Sequence, residues 1–233
     1  LVLGLDTNLM AEAQALDLLV PHGIEDLGTR LDNLPLDWDD DVFVPFDWGY
    51  FAFIYDTEVL ADPPSSLHEL VGGSDAEILI QDPRSSTPGL GLLMWVRMAY
   101  GDEAGAIWEG LADNIVTVTP GWSEAYGLFL EGEAPMVLSY TTSPAYHRIV
   151  EDTDRYAAAA FNEGHYMQVE VAAKVAGTDQ DELADAFLDF MVGNDFQSVI
   201  PTTNWMYPVI DLPTGLPDGF DDLVAPAEAL LFD

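Results

Sequence analysis

Residues 121–147 read GWSEAYGLFLEGEAPMVLSYTTSPAYH. Gly121-Trp122-Ser123 predicts a helix start, and Glu124–Leu130 continues it. Met136–Ser139 is an apolar run short enough for a buried strand, and Tyr146–Glu151 is helical again. The segment from Ser139 to Tyr146 joins strand to helix. It is dense in hydroxyls and aromatics and holds no acid, in a chain that carries 42 Asp plus Glu. Helix, strand and helix in succession, with a polar loop where the strand ends, is the pattern of an open α/β sheet with its ligand loops beyond the strand ends.

The alternation extends upstream. Val116–Val118 predicts a strand, Ala104–Leu111 a helix carrying Trp108, and Leu92–Tyr100 a longer apolar helix. The loop before that helix, Gln81 to Gly91, contains Ser85-Ser86-Thr87-Pro88. Two readings fit it. Ser86 or Thr87 can cap the helix with Pro88 at its first turn, or the loop can hold an anionic or polar ligand on free backbone N–H groups. Glu77–Ile80 is the strand in front of it, and Ser66–Val71 begins a short helix after Pro63-Pro64.

Asp41–Tyr55, DVFVPFDWGYFAFIY, is a long extended run interrupted by Pro45, so it predicts two strands in line or one bent strand. A run of that length can cross from one lobe to another. Leu1–Leu5 reads as a short buried strand, Asp6 as an N-cap, and Leu9–Leu19 as helical. Pro21–Asp41 reads as loop with one helical turn.

Downstream, Tyr156–Phe161 and His165–Ala173 predict strands, the second a candidate for the return crossing. Asp179–Met191 is amphipathic, with Leu183, Ala186, Phe187, Phe190 and Met191 on the expected buried face. Asn194–Ile200 predicts a short helix, Pro201–Pro208 a second aromatic loop, and Ala225–Leu231 a last helical turn or two. The whole predicts an α/β fold with mostly parallel sheets.

Composition narrows the function. With 42 acids against 6 Lys plus Arg, the formal charge is −36, and the acids are scattered rather than blocked. That describes a solvated acidic surface, which salt screens, and it suits a saline environment. Nucleic acid is excluded as a partner, because phosphate neutralisation needs bases that are absent. There is no cysteine, so disulfides, thiolate metal sites and Cys nucleophiles are excluded. No segment approaches the roughly 18 apolar residues of a membrane span. His22, His68, His147 and His165 form no metal-ligand spacing. His147 and His165 read as hydrogen-bonded structural residues. No nucleophile elbow and no phosphate loop with Lys is present. Catalytic residues: none; metal ligands: none; bound cofactors: none.

What remains is a repeated device, a strand end followed by hydroxyls and an aromatic. It occurs at Ser85–Thr87, Trp122-Ser123, Tyr140–Tyr146 and Asn204–Tyr207. Singly, each aromatic reads as core. Together they describe a pocket for a flat ring, and aromatic faces favour a cationic one.

The segments FVPFDWGYFAFIYD, QDPRSSTPGLGLLMW, YGDEAGAIW, TVTPGWSEAYGLFL, LSYTTSPAYH, AAAAFNEGHYMQVEVAA and NWMYPV resemble the thiamine-binding proteins of prokaryotic ABC importers, from Leu1 to Leu231. The resemblance implies a two-lobe type II periplasmic-binding fold that closes over thiamine, its monophosphate or its diphosphate and delivers it to a membrane permease. It implies a non-enzymatic receptor, periplasmic or at the cell surface, that meets the membrane through the permease or a lipid anchor. By motif, Ser86 would line the phosphate or hydroxyethyl side, and Trp122, Ser123, Tyr140, Tyr146 and Trp205 the rest of the pocket. Family members carry a longer N-terminal segment and a further helix after LLFD, so the first lobe is expected to be incomplete here. The expected division is residues 1–46 in the first lobe, 47–170 in the second, 171–208 returning to the first, and 209–233 unassigned. An iron receptor of this fold would favour adjacent tyrosines, whereas Tyr140 and Tyr146 lie apart. A polyamine receptor would place acids in loops such as SYTTSPAY, which has none. A thiamine-modifying enzyme would need a nucleophile that the composition lacks.

Overall fold

The computed structural model describes residues 1–74 and 76–232. They form two compact units, Leu1–Gly49 with Gln168–Pro217, and Tyr50–Met167 with the stretch from Asp218 on.

The first unit opens with β1 (Val2–Asp6), a 3-10 turn at Thr7–Leu9, α1 (Met10–Ala15), β2 (Leu19–Val20), α2 (Leu27–Arg30) and the start of β3 (Phe43–Asp56). The second unit takes over within β3. It contains α3 (Leu67–Val71), β4 (Ile78–Gln81), α4 (Thr87–Tyr100), α5 (Ala104–Leu111), β5 (Ile115–Thr119), α6 (Trp122–Leu130), β6 (Met136–Tyr140), α7 (Ser143–Val150), β7 (Tyr156–Ala158) and the start of β8 (His165–Val175). The first unit then adds α8 (Asp181–Met191), α9 (Asn194–Gln197), α10 (Ile200–Thr203) and β9 (Tyr207–Pro208), while β10 (Ala229–Leu230) belongs to the second.

The core of the second unit follows from alternation along its strands. Phe51 and Phe53 of β3, Ile78 and Ile80 of β4, and Met136 and Leu138 of β6 point to one face, against Leu92, Trp95 and Val96 of α4 and Ile107 and Leu111 of α5. Ala52 and Ile54, Leu79, and Val137 point to the other, against Ala125, Tyr126 and Phe129 of α6. Both faces are covered, so the strands are apolar at every position rather than every second one. β4 pairs in parallel with β5 and β6, and β3 pairs antiparallel with β6 and β7. β10 pairs in parallel with β8, while in the first unit β1 and β2 run antiparallel to β8, and β9 antiparallel to β3, so both kinds of pairing are present.

Several local expectations shift. β3 is one continuous strand of 14 residues through Pro45, since the fixed φ of proline is compatible with extended backbone. β1 is a strand but not a buried one: Leu1 and Leu3 are exposed, because β1 ends the strand order and pairs only with β8. On α8, Ala184, Leu188 and Met191 are buried, while Leu183, Phe187 and Phe190 are largely exposed. Both triplets have helical spacing and lie one residue apart on a broad apolar arc, so periodicity alone does not choose between them. The helix expected at Ala225–Leu231 is instead extended, with Ala229 and Leu230 paired in register with His165 and Tyr166. The loop holding Asn204–Tyr207 follows α10 and leads into β9, so it does not follow a strand end.

Both histidines singled out above are structural. His165 is fully buried; its Nδ1 donates to the Phe51 carbonyl at 2.7 Å and its Nε2 accepts from the Phe161 amide at 3.0 Å. Burial pushes its pKa below the ordinary imidazole value, as a neutral ring with both nitrogens used requires.

Two glycines set how closely α4 approaches the sheet. A Cβ on Gly91 would stand 2.1 Å from Phe51 Cε2, and one on Gly89 would stand 2.5 Å from the Gln81 carbonyl. Helix propensity alone favours Gly91→Ala by about 1 kcal/mol. We expect the opposite sign, a loss of about 1–3 kcal/mol from overpacking, read as a lower denaturant midpoint at unchanged slope.

Candidate functional site

The site grows from the register of β6-β4-β5. Gln81 is level with Thr119, and Leu79 with Val137, so the carboxyl ends of the three strands emerge together. Each strand is followed by a helix, α4 from Thr87, α6 from Trp122 and α7 from Ser143. Their N-termini present the positive ends of the helix dipoles, a setting for an anionic or hydroxyl-bearing group.

Hydrogen bonds lock the three loops. The Ser85 hydroxyl donates to the Pro120 carbonyl at 2.8 Å, and the Asp82 amide to Thr119 O at 2.9 Å, joining the first loop to the second. Gln81 Nε2 donates to Leu138 O at 3.1 Å, joining β4 to β6. Trp122 Nε1 donates to Ser139 Oγ at 2.8 Å, Ser139 Oγ pairs with Ser143 Oγ at 2.7 Å, and the Tyr140 amide donates to Ser143 Oγ at 3.3 Å. The indole of Trp122, 39% exposed, is thereby fixed at the rim by its one polar atom. Beneath it Trp122 stacks on Tyr126 at 4.9 Å. Tyr126 Oη meets His147 Nε2 at 2.8 Å, and His147 Nδ1 meets Glu151 at 2.7 Å. Burial pushes the Tyr126 phenol far above its ordinary range, so it stays neutral and serves as a fixed hydrogen-bonding group.

Two polar atoms at the strand ends are buried without a hydrogen-bond partner among the described residues, Gln81 Oε1 and Thr141 Oγ1. Such atoms are costly unless something meets them. Pro88 lies in the first turn of α4, as the capping reading of this loop expects. Ser86 occupies the cap position of α4, yet its side chain makes no capping hydrogen bond. Next to it, Arg84 grips Asp82 and holds that carboxyl down to about 2, so the one acid at this loop is charge-paired.

The second unit therefore brings together Ser86, Trp122, Ser123 and Tyr140 at the ends of β4, β5 and β6, with Tyr146 in the first turn of α7. Trp205 belongs to the first unit. It sits in a left-handed backbone conformation, φ +57°, which costs a bulky residue about 1–3 kcal/mol and is retained where the surroundings enforce it. Gln81, Ser139, Thr141 and Ser143 are not among the pocket residues expected from the sequence. Ser139 and Ser143 lie in the quoted hydroxyl run, and their roles depend on the spacing of four that lets both reach one point. Gln81 carries no signal until its strand is paired. Among the described residues no group of three or more His, Cys, Asp and Glu could hold a metal ion.

An α/β unit that levels three strand ends, fixes an indole at their rim and leaves buried polar atoms open is the architecture of a receptor for a small solute. The chain belongs to the bacterial extracellular solute-binding protein family, whose profile matches residues 7–198. It is 55% identical to the thiamine-binding periplasmic protein of Brucella abortus over 232 residues, covering 99% of this chain and 69% of that protein. It is 56% identical to the protein of the same description in Salmonella typhimurium, with the same coverage. Among solved structures, a periplasmic thiamin binding protein superposes with a TM-score of 0.95 at 55% identity, over 99% of this chain and 71% of that one. A ferric binding protein from Campylobacter jejuni superposes with a TM-score of 0.78 at 18% identity, over 97% of this chain and 75% of that one, a likeness of fold.

Tyr126→Phe leaves the buried His147 Nε2 without its partner. We expect a loss of about 1–3 kcal/mol in denaturant unfolding, the penalty for an orphaned buried polar group.

Proposed function

We propose that this chain is the solute-binding subunit that captures thiamine, thiamine phosphate or both outside the cytoplasm and passes them to the permease of an ABC importer. It performs no catalysis. The two compact units are the two lobes of the receptor. Ser86, Trp122, Ser123, Tyr140, Tyr146 and Trp205 contact the ligand. The observation that carries this reading is the convergence of three helix N-termini beside an exposed, hydrogen-bonded indole. That combination suits a molecule with two ends of different chemistry. A phosphate or hydroxyethyl group is met by Ser86 and the positive ends of the helix dipoles. A cationic thiazolium is met by aromatic faces, each worth about 0.5–2 kcal/mol according to how fully the cation is desolvated. The level of identity to proteins named for thiamine supports the choice of ligand.

Calorimetry with thiamine and with thiamine phosphate tests this. We expect saturable heat with at least one of them, and no heat at millimolar thiamine or thiamine phosphate in high salt would sink the reading. Trp205→Ala is expected to weaken binding at least tenfold; unchanged affinity would remove Trp205 from the site.

We assign the charge of −36 to a saline habitat. Self-repulsion among the acids is screened as salt rises. The thermal midpoint is expected to climb steeply from low ionic strength to molar potassium chloride, and a midpoint indifferent to salt would count against that assignment.

A further inference from the structure

Around Trp205 the first unit carries polar chemistry that ligand contact does not account for. Asp47 of β3 is fully buried, with its Oδ1 unpartnered. Its Oδ2 accepts from Asn204 Nδ2 at 2.5 Å. Asn204 also bonds the carboxylate of Glu170 on β8, which accepts from Gln168 Nε2 at 3.0 Å. Gln168 is fully buried, and its Oε1 has no partner either. Asp6, at the end of β1, is the register partner of Glu170. The titratable groups facing this point are therefore Asp47 from β3, Glu170 from β8 and Asp6 from β1, and among the described residues no base contributes to it. Lys174, farther along β8, is engaged with Asp185 at 2.6 Å.

The next residue of β3 holds the other side of the same turn. Trp48 stacks on Tyr207 at 4.7 Å, and its Nε1 donates to the Pro208 carbonyl at 3.0 Å. Asp47 and Trp48 are also the register partners of Pro208 and Tyr207. Two consecutive residues of one strand thus hold Asn204 before Trp205 and Tyr207-Pro208 after it, with Trp205 between them at φ +57°.

We propose that Asp47 is a positioning residue for ligand capture, clamping through Asn204 the turn that presents Trp205, and that the clamp closes only while the Asp47–Glu170 pair retains a proton. This rests on the assignment of Trp205 to ligand contact. The need for a proton follows from the inventory: the buried carboxylates of Asp47 and Glu170 meet around two side-chain amide donors, those of Asn204 and Gln168, and Asp47 Oδ1 is left over. Two adjacent ionised carboxylates without a base repel each other. Burial first, then the charge of Glu170, raises the Asp47 pKa well above its ordinary value, and burial also raises Glu170, with Asp6 adding repulsion. The sign follows. A carboxyl whose folded pKa is raised stabilises the fold fully below its unfolded pKa of about 4, and that contribution is lost as pH rises through the folded value. On the alkaline side the pair ionises, the Asn204 bridge strains and Trp205 is released.

The test has a ligand-free arm and a ligand arm. The difference in fluorescence between the protein and its Trp205→Phe variant isolates Trp205. Titrated from pH 5 to 9 without ligand, it is expected to show one transition. Asp47→Asn is an isosteric neutral stand-in for the protonated acid, and Glu170→Gln removes the second charge; either should flatten that transition. In the ligand arm, Kd for thiamine is expected to weaken at least fivefold across the same range, and to lose that dependence in Asp47→Asn. A Trp205 signal that titrates identically in both variants, or does not titrate in the unsubstituted protein, overturns the proposal. Absence of thiamine binding with an intact Trp205 transition overturns the ligand assignment and leaves the clamp standing.

Discussion

Because Ile78–Gln81 pairs in parallel with a strand on either side, three chain segments distant in sequence end at one level, and the second unit's share of the candidate site hangs on that levelling. Parallel pairing forces each strand to be left by a crossover, and here the crossovers begin as helices at once. Three helix N-termini are the consequence. The pairing survives because both faces of the sheet are dry. Phe51, Phe53 and Trp95 fill one side and Ile54, Leu79 and Val137 the other. Gly91 and Gly89 let α4 sit close enough for its N-terminus to lie at the strand ends.

The rim is held by polar contacts that spend one atom of each side chain and leave the rest open. Trp122 uses its indole N–H on Ser139 and keeps its face. Ser139 and Ser143 satisfy each other. Tyr126 and His147 brace the ring from below, so the aromatic is fixed before any ligand arrives. Preorganisation of this kind lowers the ordering cost of binding. The first unit uses the same economy, with neighbouring residues of β3 gripping the Trp205 turn on both sides.

Much of the site was legible because hydroxyls and aromatics stand out in an acidic chain. Tyr140 ends an apolar run that reads as a buried strand, and Trp122 and Ser123 follow a shorter run whose Val116 and Val118 are exposed. Gln81 was not legible, since a glutamine at the end of ILIQ looks like any strand terminus until Leu138 O is set opposite it. Asp47 and Glu170 were lost among 42 acids, because composition assigns acids to the surface and only tertiary packing shows which are walled in.

The class of fold, the place of most strands and helices, and the residue types offered to a ligand can be read from residue order alone, since hydrophobic period and turn chemistry are local properties. Long-range packing sets which stripe of α8 is inside, that residues 229–230 pair as strand, that β4 pairs in parallel with both β5 and β6, and which two acids are buried together. Each of those depends on a partner far along the chain, and no local pattern names the partner. In the quoted run, the five residues from Ser139 to Ser143 show the division: their hydroxyls are visible in the sequence, and the point where Ser139 and Ser143 meet exists only once the strand has turned into a helix.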